Sequence, residues 1–73
     1  MDTTVSISGM TCGHCVMSVT EELEALPGVT GVNVDLVVNG VSTATVSADR
    51  ELSGPELSEA IAEAGYTVVA QDA

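Results

Sequence analysis

The sequence predicts an α+β fold, one antiparallel sheet covered by two helices. Three observations predict it. Four short segments alternate apolar and polar residues with the period of two expected of half-buried strands. Two longer segments instead repeat their apolar residues at helical spacing. In chain order these read strand, helix, strand, strand, helix, strand.

The first strand is "TTVSIS", in which Val5 and Ile7 point one way and Thr4 and Ser6 the other. Gly9 ends it, and a loop with Cys12 follows, with Cys15 at or near the first helical turn. From "CVMSVTEELEALPG" the period changes: Val16, Val19, Leu23 and Leu26 fall on one narrow face, while Glu21, Glu22 and Glu24 fall on solvated faces. Pro27-Gly28 stops this helix. "VTGVNVDLVV" returns to alternation through Val32, Val34, Leu36 and Val38. Asn39-Gly40 signals a hairpin, with "VSTATVS" as the returning strand. A two-residue turn would bury Thr43 and Thr45. A three-residue loop ending at Gly40 buries Ala44 and Val46, and is preferred as the more apolar choice, with Gly40 in the left-handed position. Ser53 and Glu56 read as a capping box for the second helix, with Pro55 in its first turn. Leu57, Ala60, Ile61 and Ala64 form its apolar face, Gly65 closes it, and "YTVVA" is the last strand. Right-handed crossovers turn this order into the ferredoxin-like βαββαβ sandwich, with four antiparallel strands and two helices on one face.

The chain of 73 residues is read as a single domain, 1–73, with a thin core. With no Trp or Phe and one aromatic, Tyr66, that core is aliphatic, with Met10 a candidate member. Eleven acids face one base, Arg50, for a net charge of −10. This argues against nucleic acid and against anionic membranes, both of which need Lys and Arg. A basic protein surface is the partner class that fits, unless the acidity serves solubility alone. No apolar run approaches the ~20 residues of a membrane span. "MDTTVSISGM" lacks the basic start and apolar stretch of a signal peptide, so a cytoplasmic location with reduced thiols is expected.

The chemistry lies in "GMTCGHCV". Cys12-Gly13-His14-Cys15 suits two tasks, dithiol redox exchange and soft-metal binding, and both need thiolates. The predicted position at the start of a helix supplies unpaired N–H groups and the positive end of a dipole, which favour thiolate. A thioredoxin-type enzyme needs a longer chain, usually an aromatic before the first Cys, and a cis-Pro loop beside the dithiol. Here Thr11 precedes Cys12, and the only prolines, Pro27 and Pro55, end one helix and start another. Two thiolates satisfy Cu(I), whereas Zn(II) normally takes four ligands. His14 sits awkwardly between the cysteines for a third ligand. It is expected to be solvent-exposed, tuning the thiolates or touching metal only in a dimer. Met17 is expected on the helix surface, either as an ordinary exposed side chain or as an apolar contact at an interface.

"GMTCGHC" in a chain of this order and size, with "EAGYTV" near its end, resembles the heavy-metal-associated domains. These are small copper chaperones and the N-terminal metal-binding domains of copper-transporting P-type ATPases. The resemblance spans essentially the whole chain. It implies that Cys12 and Cys15 hold Cu(I) at an exposed end. It implies that Met10 packs beneath the loop without ligating, and that Tyr66 lies near the loop as a shield or hydrogen-bond donor, or else caps the core edge. Zinc and cadmium relatives often carry an acid where this chain has Thr11, which favours Cu(I) over other soft ions such as Hg(II) or Ag(I). The implied function is a soluble Cu(I) chaperone and not an enzyme. It would transfer one ion by ligand exchange to a copper-transporting P-type ATPase domain or a copper-responsive regulator. It is expected as a monomer, with a copper-bridged dimer as its second form. An excised ATPase domain and a dithiol redox protein are the alternatives. Many such chaperones dock through lysines and this chain has none. A reversed polarity is therefore expected, with Glu21, Glu22, Glu56, Glu59 and Glu63 meeting a basic partner.

Overall fold

The computed structural model describes residues 2–72. Its elements run β1 (Asp2–Ser8), α1 (Gly13–Glu24), β2 (Val29–Asp35), β3 (Val41–Ala48), α2 (Gly54–Glu63) and β4 (Thr67–Asp72). The sheet order is β2-β3-β1-β4, with every neighbouring pair antiparallel. This is the expected ferredoxin-like arrangement.

Alternation decides which face is covered. Val5 and Ile7 of β1 and Ala44, Val46 and Ala48 of β3 are buried against Val19 and Leu23 of α1 and Leu57 and Ile61 of α2. Each Val, Leu and Ile among them contributes about 1.5–3 kcal/mol by leaving water, and each Ala less. Thr4, Ser6, Thr43 and Thr45 occupy the alternate positions, on the side without helices.

The hairpin register pairs Val34 with Ala44 and Val32 with Val46, as a loop ending at Gly40 requires. Two details differ from expectation. The left-handed residue is Asn39, at φ 62°, and not Gly40. Asn tolerates this region because its short polar side chain can bond locally. Val38, expected on the inward face, is 54% exposed. The ladder stops at Asp35 because the Ser42 hydroxyl takes over: its Oγ accepts from Val37 N–H at 2.9 Å and lies 3.4 Å from Val37 O. The chain beyond Asp35 is thereby released from the pleat.

Both helix ends follow local chemistry. Ser53 Oγ accepts from Glu56 N–H at 3.2 Å, and Glu56 Oε2 accepts from Ser53 N–H at 3.4 Å, the reciprocal capping box. At the other end of α2, Tyr66 N–H donates to Ile61 O at 3.1 Å and Gly65 N–H to Ala62 O at 2.9 Å. This is a Schellman closure, which needs the left-handed Gly65, at φ 95°. It places Tyr66 directly ahead of β4.

Arg50, the sole Lys or Arg of the chain, clasps two connections at the end where β3 finishes. Its Nε donates to Pro27 O at 2.7 Å, just beyond α1. Its other nitrogens bond both carboxylate oxygens of Glu56, in the first turn of α2. The guanidinium holds the Glu56 carboxyl far below the usual range, at about 2.

Candidate metal centre

The ladders assign the two cysteines to one end of the molecule. Ser8, the last residue of β1, pairs with Val41 on one side and with Thr67 on the other. The cysteine loop, the β2–β3 hairpin and the Tyr66 turn therefore share that end. Gly9 turns the chain over the edge at φ 92°, and a Cβ there would stand 3.6 Å from Tyr66 Cδ1. The Tyr66 ring thus lies alongside the backbone that leads into the loop.

Met10 is buried, at 1% exposure, and joins the core beneath the loop. Its thioether is used in packing. Cys12 is the N-cap of α1, with extended backbone and no side-chain cap bond. Cys15 N–H and Val16 N–H both point to Cys12 O, at 3.1 and 3.4 Å, which closes the first turn. The loop expected to hold Cys12 is therefore already the helix cap.

The two sulfurs lie 3.5 Å apart as free thiols. Their settings differ. Cys12 is exposed, whereas Cys15 is buried at 7% exposure. The Cys15 thiol is held down to about 6, chiefly by the Thr11 backbone N–H, then by the Tyr66 hydroxyl and the Cys12 sulfur, against the opposing effect of burial. Tyr66 is shifted the other way, upwards, because its hydroxyl bonds the Cys15 sulfur and would lose that bond on ionising. Thr11 Oγ1 stands 3.9 Å from the same sulfur. The Thr11 amide, the Tyr66 hydroxyl and the Cys12 sulfur each favour thiolate at Cys15.

Of the residues singled out in the sequence, the structure gathers Cys12, Cys15, Thr11 and Tyr66 at one site and sets Met10 under it. Tyr66 packs against the core, partly buried, and its side chain acts on the Cys15 thiol. His14 is exposed. Among the described residues no third His, Cys, Asp or Glu joins the pair in a metal-holding group. The Thr11 backbone amide was invisible to residue-type reasoning, since any residue supplies that donor. Among the described residues no helix is long and apolar enough to cross a membrane.

This constellation can be compared with known proteins. The model of the heavy-metal-associated domain matches residues 4–67, the stretch from β1 through the start of β4. The chain belongs to that family. Among heavy-metal-associated relatives, copper-transporting ATPase 1 of Rattus norvegicus is 39% identical over 66 residues, 89% of this chain. The chain spans only 4% of that ATPase's length. The copper chaperone CopZ of Staphylococcus aureus (strain JH9) is 34% identical over 65 residues, 89% of this chain and 93% of CopZ. A solved CopZ metallochaperone superposes with TM-score 0.81 at 30% identity, over 94% of this chain and all of that one. A chain of the Atx1–Cu(I)–Ccc2a complex superposes with TM-score 0.72 at 28% identity, over 94% of each chain.

Proposed function

We propose that this chain carries one Cu(I) ion between Cys12 and Cys15 and passes it by ligand exchange to a partner. The metal-binding domain of a copper-transporting P-type ATPase is the partner class proposed. The observation that supports this reading best is the asymmetry of the sulfur pair. Cys15 is buried and held by hydrogen bonds, while Cys12 is exposed and makes no cap bond. Two soft thiolates match a soft monovalent ion. With a metal–thiolate bond of about 2.3 Å, a linear pair spans about 4.6 Å, so sulfurs 3.5 Å apart must open by about 1 Å. Cys12 has the solvent space to make that movement.

Transfer then needs no acid–base catalyst. A partner thiolate adds to the two-coordinate ion, and copper is briefly bound by three sulfurs. One ligand of this chain leaves, a second partner thiolate adds, and the remaining ligand leaves. The ion stays Cu(I) throughout and no bond to carbon forms. This is cargo handling by a binding module. A reducing compartment such as the cytosol keeps both thiols available. The relatives named chaperone and transporting ATPase, and the Cu(I) complex, support this reading.

Anaerobic Cu(I) titration against a chromogenic chelator tests it, with Cys12→Ser and Cys15→Ser as controls. Wild type should outcompete both variants by several orders of magnitude. Equal competition by all three ends the proposal. Insulin reduction above background by the metal-free protein would point instead to dithiol redox work.

A further inference from the structure

Four exposed large apolar side chains lie toward the cysteine end, and a fifth, Val69, lies on the edge strand β4. Val38 is 54% exposed, Val41 46% and Val37 43%, all in or beside the hairpin that shares this end with Cys12, and Met17 on α1 is 60% exposed. Acids are placed oppositely. α1 runs away from the cysteines, so Glu21, Glu22 and Glu24 lie in its remote half. Asp2 pairs with Ser47, and Asp49, Glu51 and Glu56 follow β3, all at the far end. Asp35 and Glu63 are the acids that the topology brings nearest. Of the five glutamates expected to meet a basic partner, Glu22, Glu56, Glu59 and Glu63 line a groove of about 250 Å³ with Ala25, Leu26 and Ala60, and Glu21 does not.

We propose that the apolar rim of Val37, Val38, Val41 and Met17 is the docking surface for the partner, and that it accepts the apolar, acid-poor cysteine end of another domain of this fold. The inference rests on the copper-transfer reading, because a partner thiolate must reach the exposed Cys12 and so must cover this end. The rim offers little charge for a basic surface to pair with. It offers valine and methionine side chains that leave water only when an apolar surface covers them. Between two copies of this chain, each with a net charge of −10, end-to-end contact also keeps the two sets of acids apart. The glutamates between the helices then set long-range repulsion and not the contact.

The test uses a second, isotopically labelled copy of this chain as the acceptor, mixed metal-free with the unlabelled copper-loaded protein and followed by NMR. Val38→Ser with Val41→Ser removes apolar surface without adding charge. The exchange rate should fall about tenfold, while Cu(I) affinity against the chelator stays within twofold of wild type and the spectrum remains folded. Met17→Ser, on a different element, should slow exchange in the same sense and covers the case in which the hairpin variant fails to fold. Unchanged exchange in both variants at unchanged affinity overturns the rim and leaves copper binding standing. So does a larger effect from Glu22→Gln with Glu59→Gln, which would assign docking to the inter-helix groove. Loss of copper binding by wild type would remove the underlying reading itself.

Discussion

The Tyr66 hydroxyl helps hold the Cys15 thiol down while the Cys15 sulfur pushes Tyr66 up, a reciprocal effect that links the turn after α2 to the first turn of α1. It connects two connections that are remote in sequence and adjacent at one end of the sheet. Its energetic sign is clear. The folded thiol titrates near 6 against 9.0 for the free group, so folding favours the thiolate. The stabilisation it gives is fully present above the unfolded value, near 9.0, and is lost as pH falls through about 6.

Tyr66→Phe deletes the hydroxyl and keeps the ring. The Cys15 thiol should titrate higher than in wild type, read from ultraviolet thiolate absorbance against pH. It should stay below the free value, because the Thr11 amide remains the larger cause. A titration superimposable on wild type would show that the hydroxyl does nothing for the sulfur.

Arg50 and Glu56 form the corresponding joint at the opposite end. Arg50→Ala removes the bonds to Pro27 O and to Glu56 together and should lower Tm by on the order of 5 °C at pH 7. The Glu56 carboxyl is depressed to about 2, so its contribution is present above the ordinary value of 4.5 and disappears as pH falls through about 2. The gap in Tm between wild type and variant should therefore narrow towards pH 2. A gap that widens on acidification contradicts the joint.

Met10 and His14 make a contrasting pair in one loop. Met10→Leu conserves apolar volume and should leave Cu(I) affinity within threefold of wild type. Met10→Ala opens a cavity under the loop and should cost about 2–4 kcal/mol in denaturant unfolding. His14→Ala, at an exposed position outside any metal-holding group among the described residues, should change neither stability nor affinity appreciably. Loss of affinity in Met10→Leu would make the thioether a ligand.

Charge sets a fourth expectation. At 0.01 M ionic strength the screening length is about 30 Å, comparable to the longest dimension of the fold, 32 Å. All the acids then repel one another across the whole molecule. Raising NaCl to 1 M should increase Tm by more than about 5 °C, and Glu22→Gln, Glu59→Gln, Glu63→Gln together should shrink that increase. A Tm that is flat or falling with salt would mean the carboxylates cost the fold nothing.

The strands and helices were legible because burial on one face imposes periodicity, and Val5, Ile7, Val19, Leu23, Leu57 and Ile61 obey it. The capping box at Ser53 and the turn at Gly65 were legible because each is written within a few residues. The hairpin tip was less so. Alternation continues through Val38, but a single side chain, Ser42, ends the ladder early, and no pattern of apolar residues encodes that. Arg50 escaped for another reason. Its partners, Pro27 O and Glu56, come together only after both crossovers have folded. In the site, the cysteine pair and Tyr66 could be found from residue types. The Thr11 amide and the difference in exposure between Cys12 and Cys15 arise from backbone path alone.

Cys12 stands at the N-cap of α1 with no side-chain bond to a backbone N–H of the first turn. An ordinary cap such as Ser or Asp would add a side-chain bond to the first turn's backbone, and here only the Cys12 carbonyl and the contact between the two sulfurs hold that turn. An ion bridging Cys12 and Cys15 would supply the missing tie from outside the chain. Loading would then register as slower amide hydrogen exchange at Gly13 through Val16, with the core strands indifferent. The cargo would tighten the grip that holds it, and its departure would leave behind a frayed and receptive helix end.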